Sequence, residues 1–417
     1  MIAADILIRV EIRLNSKFGR VLHALADVAV GEEVFAEEPI LLTFSETTDQ
    51  EEMLLRRVSE KSGMNLLEDF VFVKSFCEAT DEARSLVLDC YSPPLNEVSR
   101  SVLLTGLMKV VDVAKTYKWS ANFDKETLRK VVLIKACNAH GYYSQSSSAA
   151  ALYTFGSKLR HSCVPNVVYT SQRRSDGKGS FVAKKRIHSG DELFISYISI
   201  FQSTIMRNLE LLENYLFTCD CSLCTKGIDF FRGRKCTFCT KGTQYLNQVL
   251  DEWDCDLCEN RGEKTSSEFI FFETKIVKDT EEFLRSFHGN IPGSVDRKIL
   301  ELRSSLGPNH GITKKLEKKN LQNLSSLVKW AKKNESWIDF FDSSLIEIAC
   351  KFGRNGEYDK AIEYLEPVLI DMNILFGEDN NNVEQQNIVR RAIKACLEKK
   401  RDKVPQLESS EEGCPMQ

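Results

Sequence analysis

The chain has 417 residues, of which 42% are hydrophobic, and its formal net charge is −4 at pH 7. That length and composition allow a large buried core divided among two or three domains. No run of about 18 or more apolar residues is present to span a bilayer, and the first residues lack the basic and then apolar layout of a signal peptide. We therefore expect a cytoplasmic or nuclear protein without a membrane partner. The acidic balance makes direct nucleic-acid binding an unfavoured function.

Short strands and turns are predicted at the start of the chain. Apolar residues cluster at 21–24 and 34–36, and the Gly-acidic segment 30–33 predicts the turn between them. A similar phrase recurs at 181–197, where a Gly-acidic turn again joins two apolar segments. The recurrence predicts two β-hairpins of one sheet system. Because Gly-acidic turns are common, it indicates no function by itself.

Helical spacing of apolar residues replaces this pattern between residues 46 and 135. The residues concerned are Met53, Leu54, Val58, Leu66, Leu67, Phe70 and Val71, and later Leu103, Leu104, Leu107, Val110, Val111 and Ala114. The pattern predicts a helical insertion within a β domain.

Beyond residue 263 the helical spacing continues, with apolar positions at 321–331 and 340–349. The phrase at 356–364 resembles the core of a tetratricopeptide helix pair, in which the small Ala361 would let two helices approach closely. One such phrase predicts a helical superstructure but not a full repeat array. We expect the tail from residue 404 to be disordered.

Eight of the 14 cysteines fall between Cys163 and Cys258, in spacings typical of metal sites in a reducing compartment. The pairs Cys236/Cys239 and Cys255/Cys258 have fifteen residues between them, which matches a four-cysteine zinc ribbon. Four thiolates leave no open coordination position, so this site is predicted to be structural.

A second zinc site is predicted at Cys219, Cys221 and Cys224, which supply three thiolates for an ion that takes four ligands. Cys163 is the best candidate for the fourth ligand, and Cys137 and His161 are the alternatives. We therefore expect two structural zinc ions. The first would join two segments that are distant along the chain.

Four motifs, taken in order, resemble the SET-domain protein lysine methyltransferases, and in particular their SMYD-like branch. They are the Gly19-Arg20 turn, the H-S-C-x-P-N segment at 161–166, the G-D-E-L-x-I-S-Y segment at 190–197 and the C-x-C-x-x-C cluster at 219–224. Each motif is weak alone, but together they are highly specific. One feature departs from the branch, since the usual eight-ligand MYND zinc insert cannot be built from the metal-binding residues at 46–145, namely Cys77, Cys90, Cys137 and His140.

The resemblance covers about the first two thirds of the chain and implies an α+β fold, with a SET-type β-fold, a helical insertion, post-SET zinc sites and a C-terminal α-helical, TPR-like domain. In this family the insertion forms one wall of the substrate groove, although a purely stabilising cap is an equal alternative. The implied division is 1–45 and 136–200 for the two halves of the SET domain, 46–135 for the insertion, 201–262 for the post-SET region, 263–403 for the C-terminal helices and 404–417 for the tail.

In this family the methyl donor is S-adenosylmethionine. The resemblance implies cofactor-binding roles for Gly19, Arg20, Asn138, Arg160, His161, Tyr197 and Phe217. Gly19 would allow close approach of the backbone, Arg20 would pair with the donor carboxylate, and Phe217 would cover the adenine face. Their structural alternatives are a simple turn at Gly19 and an anchor for the zinc cluster at Phe217.

Tyr197 is the predicted catalytic residue, and Tyr215 matches a second aromatic of the family's lysine channel. Alternating apolar residues place Tyr197 at the end of a half-buried strand, which would equally suit a core tyrosine. Methyl transfer to an amine needs a neutral and aligned nucleophile. The resemblance implies that both tyrosines line a channel that lowers the pKa of the lysine by desolvation. The alternative for Tyr215 is packing behind the zinc.

Arg160 departs from the family pattern, which has Asn before the His of this motif. A permanently charged guanidinium cannot both donate and accept hydrogen bonds as an amide does. Three interpretations therefore stand: an active lysine methyltransferase with a histone or other protein substrate, a degenerate SET scaffold that binds a protein partner through its C-terminal helices, and a zinc-ribbon nucleic-acid binder. The first is favoured, and the net charge disfavours the third.

Overall fold

The computed structural model describes residues 9–44, 47–62, 66–143, 148–200, 202–225, 227–258, 261–264, 266–286, 294–317, 349, 352–377 and 384–403. The helical periodicity predicted at 321–331, most of that at 340–349 and the tail from residue 404 lie outside the described residues.

The N-terminal β-fold consists of short strands grouped in small sheets. The strands are β1 (Val10–Asn15), β2 (Gly19–Ala24), β3 (Glu33–Glu37), β4 (Leu41–Phe44), β5 (His140–Tyr143), β6 (Ser148–Leu152), β7 (Arg160–His161), β8 (Val167–Thr170), β9 (Gly179–Ala183) and β10 (Phe194–Ile195). β1 pairs with β2, β9 lies between β3 and β8, β6 lies between β4 and β5, and β7 pairs with β10. All of these pairs are antiparallel except β7 with β10, which is parallel.

The two Gly-acidic phrases of the sequence pair directly with each other. The backbone N–H of Val28 donates to Ile187 O at 2.9 Å, and the N–H of Ile187 donates to Val28 O at 3.0 Å. Gly31 and Gly190 take up φ values of +80° and +92°, which favour glycine. The recurrence in the sequence therefore reflects two similar turns packed antiparallel on one core.

The helical insertion packs on a core of its own, built around Phe70, Phe72 and Phe76, which are fully buried. Its helices are α1 (Asp49–Ser62), α2 (Leu67–Glu78), α3 (Asp81–Leu88), α4 (Val102–Leu107), α5 (Lys109–Ala114) and α6 (Lys125–Asn138). The periodicity at 103–114 is divided between two short helices that meet at Met108. The side chain of Asp124 caps the N-terminus of α6 by accepting a hydrogen bond from Thr127 N at 2.6 Å.

A helix and a four-stranded ribbon follow the β-fold. Helix α7 (Thr204–Tyr215) ends where Leu216 adopts a left-handed conformation with φ of 63°. After the short helix α8 (Ser222–Thr225) come strands β11 (Ile228–Lys235), β12 (Thr243–Asn247), β13 (Glu252–Cys255) and β14 (Arg261–Lys264). These strands pair antiparallel in chain order.

The C-terminal part is helical. Its helices are α9 (Ser267–Ser286), α10 (Ser294–Ser305), α11 (Gly311–Glu317), α12 (Tyr358–Phe376) and α13 (Glu384–Lys403). Ala361 is fully buried in the core that α12 and α13 share, and the Phe352 and Tyr364 rings stack with centroids 5.5 Å apart. None of the helices in the described ranges combines the length and the apolar character that crossing a membrane requires. A TPR-like arrangement stays a prediction.

A buried triad of hydrogen-bonded side chains joins the ribbon to the C-terminal helices. Arg232 Nε on β11 donates to Glu273 Oε1 on α9 at 2.8 Å, and His310 Nε2 lies 2.9 Å from the same oxygen. Burial raises the pKa of Glu273, but the hydrogen bonds from His310 and Arg232 outweigh it and lower that pKa below its ordinary value. Folding therefore gains stability from the ionised Glu273.

We expect Glu273→Gln to lower the free energy of unfolding at neutral pH by about 3–5 kcal/mol, because it leaves Arg232 as a buried charge without its carboxylate. The folded-state pKa is depressed, so this contribution is present above the unfolded pKa and is lost as the pH falls through the folded pKa. Urea unfolding followed by tryptophan fluorescence, at neutral and acidic pH, measures the difference.

The control is Glu281→Gln, which breaks the partly exposed pair between Glu281 and Lys315. That variant should lose no more than about 1 kcal/mol. Similar small losses in both variants would show that the triad does not stabilise this junction.

Candidate functional site

A cavity of about 1140 Å³ lies where the β-fold, the helical insertion and the segment after α7 meet. All eight residues predicted to bind the cofactor or to act in catalysis line it, namely Gly19, Arg20, Asn138, Arg160, His161, Tyr197, Tyr215 and Phe217. They come from positions that are up to about 200 residues apart in the sequence. Tertiary folding therefore assembles the predicted residues into one site.

Four aromatic rings form a cluster in this cavity, which we call the aromatic cluster: His161, Tyr197, Tyr215 and Phe217. The centroid of the Tyr197 ring lies 5.1 Å from that of Tyr215 and 6.4 Å from that of Phe217. The His161 ring lies 5.3 Å from Tyr197 and 6.0 Å from Phe217. These are the separations of edge-on and tilted aromatic contacts, so the cluster is a packed apolar wall with hydroxyl groups on it.

The hydroxyl groups of the two tyrosines are bound to backbone carbonyls. Tyr197 Oη donates to Leu159 O at 2.5 Å, and Tyr215 Oη donates to Tyr197 O at 3.3 Å. Burial raises the pKa of Tyr197 and raises that of Tyr215 to about 12. Both tyrosines therefore stay protonated at physiological pH. They are suited to orient a polar group and are unsuited to act as anionic bases.

His161 connects the aromatic cluster to a group of cysteines. The backbone N–H of Tyr197 donates to His161 Nδ1 at 3.0 Å, so Nδ1 is an acceptor and the ring proton of the neutral imidazole is on Nε2. Nε2 lies 3.4 Å from Cys163 Sγ. The imidazole thus contacts the backbone of Tyr197 and the sulfur of Cys163 at the same time.

Arg160 lies at the rim of the cavity, where its charge is compensated. Its NH1 is 2.6 Å from Glu192 Oε1, and its guanidinium lies 3.3 Å from the centroid of the Phe18 ring. Nearby, Gly19 has a φ of +74°, and a Cβ added there would meet no atom within 4 Å. The backbone beside Arg160 is therefore open to the cavity.

Arg20 already has an acidic partner, Asp89. Its NH1 lies 2.7 Å from Asp89 Oδ2, and its NH2 donates to Asp89 O at 2.7 Å. Asn138 is also engaged, because Nδ2 donates to Tyr91 O and to Ile134 O at 2.8 Å each. The amide thus ties the segment that carries Tyr91 to the end of α6.

Among the cavity residues that reasoning from the sequence missed are Asp89, Tyr91 and Lys158. Asp89 follows the last turn of α3, and Lys158 belongs to a short 3-10 turn at Gly156–Lys158. Neither position carries a motif. The sequence offers no signal that could have found them, because they reach the cavity only through the packing of the insertion on the β-fold.

Two groups of four cysteines could each hold a metal ion. They are Cys163 with Cys219, Cys221 and Cys224, and Cys236 with Cys239, Cys255 and Cys258. In each group the ligand atoms lie within 4.8 Å of one another. Cys163 thus lies beside the three cysteines for which the sequence predicted a fourth ligand, and its role as that ligand stays a prediction. A soft, tetrahedral set of four sulfurs suits zinc.

The first cysteine group has a buried cation beside it. Arg207 on α7 is almost fully buried, and its NH2 lies 3.6 Å from Cys224 Sγ and donates to Thr204 Oγ1 at 2.9 Å. Four thiolates around a divalent ion carry a net negative charge, so a guanidinium in contact stabilises the group. The sequence indicated no such role for Arg207.

Backbone N–H groups surround the sulfurs of the second group. Phe238 N and Cys239 N donate to Cys236 Sγ at 3.4 Å each, and Gly242 N donates to Cys239 Sγ at 3.3 Å. Hydrogen bonding lowers the pKa of Cys239 to about 6, and the bond from Gly242 N makes the largest contribution. A Cβ at Gly242 would lie 2.4 Å from Cys255 Sγ, so only glycine fits there. Burial raises the pKa of Cys255 to about 11, so the surroundings favour the thiolate, the form that binds metal, at Cys239 but not at every cysteine of the group.

Comparison with protein families relates part of this chain to known proteins. Residues 19–198 match the family model described as the SET domain. The chain contains a SET domain. N-lysine methyltransferase SMYD2 of Rattus norvegicus is 36% identical over 102 residues, which are 23% of this chain and 22% of that protein. The SMYD2 protein of Homo sapiens is 34% identical over the same length, with the same coverage. The match thus spans about a fifth of these relatives, and the resemblance to the SMYD-like branch is confirmed.

Solved structures were also found to be similar. The SET domain of LSMT bound to MeLysine and AdoHcy is 13% identical, with a TM-score of 0.37 over 94% of this chain and 88% of that chain. Rubisco LSMT bound to AdoMet is 13% identical, with a TM-score of 0.31 over 97% of this chain and 93% of that chain. At these TM-scores the likeness carries no argument about the site.

The predicted fold class is confirmed. The SET domain, the strands with inserted helices, the cysteine groups that could bind zinc and the C-terminal helices together make an α+β protein. The division into six regions stays a prediction. The last helix of the insertion, α6, ends at Asn138, three residues after the predicted boundary at 135.

We expect two zinc ions per chain in elemental analysis of the purified protein. Cys163→Ser should remove one ion and Cys236→Ser the other, since each breaks one closed set of thiolates. Cys77→Ser, at a buried cysteine outside both groups, is the matched control and should keep both ions. A content of one zinc ion or none in the unmodified protein would contradict the assignment of at least one group.

Proposed function

We propose that this chain is a protein lysine N-methyltransferase that uses S-adenosylmethionine and acts on a lysine of a histone or another protein. The observation that carries the proposal is the meeting of all eight predicted residues in one cavity. The SMYD2 relatives are named lysine methyltransferases, which supports the same activity. The proposal places the protein in the cytoplasm, the nucleus or both.

The residues of the cavity fit the donor. A cavity of about 1140 Å³ has room for a nucleoside joined to an amino acid. Phe217 offers a ring face for adenine, the open backbone at Gly19 allows close approach, and Arg20 offers a guanidinium for a carboxylate. When bound, the donor would supply a methyl group on a positively charged sulfonium.

The aromatic cluster would prepare the lysine amine. Its rings exclude water, and desolvation lowers the pKa of an ammonium, so that more of the amine is neutral. The two tyrosine hydroxyls stay protonated, and Tyr197 Oη with the carbonyl of Leu159 marks a polar point on an apolar wall. Such a wall can align the amine for in-line transfer without supplying a strong base.

Zinc would have a structural role in this proposal. Four thiolates close each coordination sphere, so no position is open for substrate. The first ion would hold the segment that carries Tyr215 and Phe217 next to Cys163. His161 would then help to fix the position of Tyr197, because its ring contacts both Cys163 Sγ and the backbone N–H of Tyr197.

The surroundings of Arg160 favour the enzyme over the degenerate scaffold. Glu192 compensates its charge and Phe18 stacks on its guanidinium, so no unpaired cation projects into the cavity from this position. The scaffold interpretation, with a protein partner on the C-terminal helices, stays the second candidate. A failure of the purified protein to bind S-adenosylmethionine would favour the scaffold interpretation.

We expect Tyr197→Phe to slow methyl transfer by about 10²-fold, because the variant keeps the ring and loses the hydroxyl that positions the reacting groups. Donor affinity should change little. Transfer of radiolabelled methyl groups to histones and other basic proteins measures the rate. Tyr142→Phe is the matched control, since Tyr142 is a buried tyrosine outside the cavity whose Oη donates to Gly177 O at 3.3 Å. Unchanged turnover in Tyr197→Phe would remove this residue from the mechanism.

Calorimetry with S-adenosylmethionine separates the enzyme from the scaffold. We expect the unmodified protein to bind, Arg160→Ala to bind about 1.5–3 kcal/mol more weakly, and Arg160→Asn to recover part of the loss. The reason is that Arg160 holds Phe18 and Glu192 at the rim. Arg174→Ala, which removes the ion pairs of Arg174 with Asp176 and Glu33 outside the cavity, is the control. A protein that binds only after Arg160→Asn would show that Arg160 blocks the cavity.

A further inference from the structure

Two cations share one carboxylate at one end of the cavity. Asp89 Oδ2 lies 2.7 Å from Arg20 NH1 and 3.8 Å from Lys158 Nζ. All three residues line the cavity. Within the described part of the chain, Asp89 is the only acidic residue in ion-pair contact with Lys158. These three side chains together carry one positive charge in excess, and Lys158 is only 6% exposed. The buried carboxylate of Glu37 also attracts Lys158, but it is not in ion-pair contact with it.

The fold fixes the position of Lys158 and removes its ammonium group from most of the solvent. The buried carboxylate of Glu37 accepts backbone hydrogen bonds from Thr154, Phe155 and Gly156 at 2.7–3.1 Å, which shapes the turn that presents Lys158. At Gly156 a Cβ would lie 2.6 Å from the Phe181 ring. Burial lowers the pKa of Lys158. Buried lysines are rare without a full partner, so a ligand anion would complete the group.

We propose that Arg20, Lys158 and Asp89 form one receptor for the amino-acid end of the methyl donor, with Lys158 and Arg20 binding its carboxylate and Asp89 binding its α-ammonium. This inference rests on the proposed function. It assigns two residues, Lys158 and Asp89, that no motif of the chain marks.

The charges of the receptor complement those of an amino acid. A carboxylate placed between Arg20 and Lys158 would neutralise the excess charge, and charge-assisted hydrogen bonds of this kind are the strong ones. An α-ammonium on the same carbon would face the carboxylate of Asp89. Arg20 and Asp89 are about half exposed to the cavity, at 41% and 48%, so both can contact a ligand without leaving each other.

Titration calorimetry with three probes tests the receptor. S-adenosylhomocysteine carries both charged groups, S-(5′-deoxyadenosyl)-4-thiobutyrate keeps only the carboxylate, and 5′-methylthioadenosine has neither. We expect Lys158→Met to bind the first two probes about 10- to 100-fold more weakly, the scale of one hydrogen bond to a charged group. It should bind 5′-methylthioadenosine as the unmodified protein does. Asp89→Asn should weaken only the binding of S-adenosylhomocysteine.

The controls separate recognition from damage to the fold. Lys158→Arg keeps the charge and should keep most of the preference for the charged probes. Lys125→Met and Asp112→Asn remove an exposed ion pair of the insertion, with Nζ–Oδ1 at 2.7 Å, and should leave all three affinities unchanged. Neither residue lines the cavity.

Two results would overturn the inference. One is equal weakening of all three probes by Lys158→Met, which would mean that the lysine only supports the shape of the cavity. The other is an unchanged affinity for S-adenosylhomocysteine in both Lys158→Met and Asp89→Asn. If the unmodified protein bound none of the probes, the proposed function itself would fall, and with it the inference.

Discussion

The cavity depends on a contact between two parts of the chain that are far apart in sequence. Cys163 meets Cys219, Cys221 and Cys224, and this meeting brings the segment that follows α7 against the short strand β7. Tyr215 and Phe217 precede the cluster by a few residues, and their rings contact that of Tyr197. An ion held by four thiolates would turn this convergence into a fixed point, since metal binding contributes directly to folding free energy.

Two side chains, Arg207 and His161, contact the sulfurs of this buried cysteine group. Arg207 places a positive charge against Cys224, and His161 directs its Nε2 toward Cys163 while Nδ1 accepts a bond from Tyr197 N. Both contacts compensate the negative charge that thiolates would bring into the interior. The same imidazole contacts the cysteine cluster and the tyrosine, so disturbance of either is expected to reach the other.

The opposite side of the cavity is built by the helical insertion. Asp89 and Tyr91 lie just after α3, and Asn138 ends α6 and donates to Tyr91 O. The insertion packs through its own phenylalanine core, and it contributes Asp89, Tyr91 and Asn138 to the lining of the cavity. It is thus a wall of the cavity as well as a packed helical unit, two roles between which the periodicity of its sequence could not decide.

The sequence by itself predicted the inserted helices, the Cys236–Cys258 group and three members of the other cysteine group, because these depend on local periodicity and ligand spacing, and the family resemblance predicted the eight residues that line the cavity. Only the tertiary structure decided that Cys163 lies beside the other three cysteines of the first group, that Arg160 pairs with Glu192, and that Lys158 and Asp89 share the site. The charge partner of a side chain and the degree of its burial depend on which distant segments pack together. A motif or a periodic pattern records local order along the chain and contains no such information.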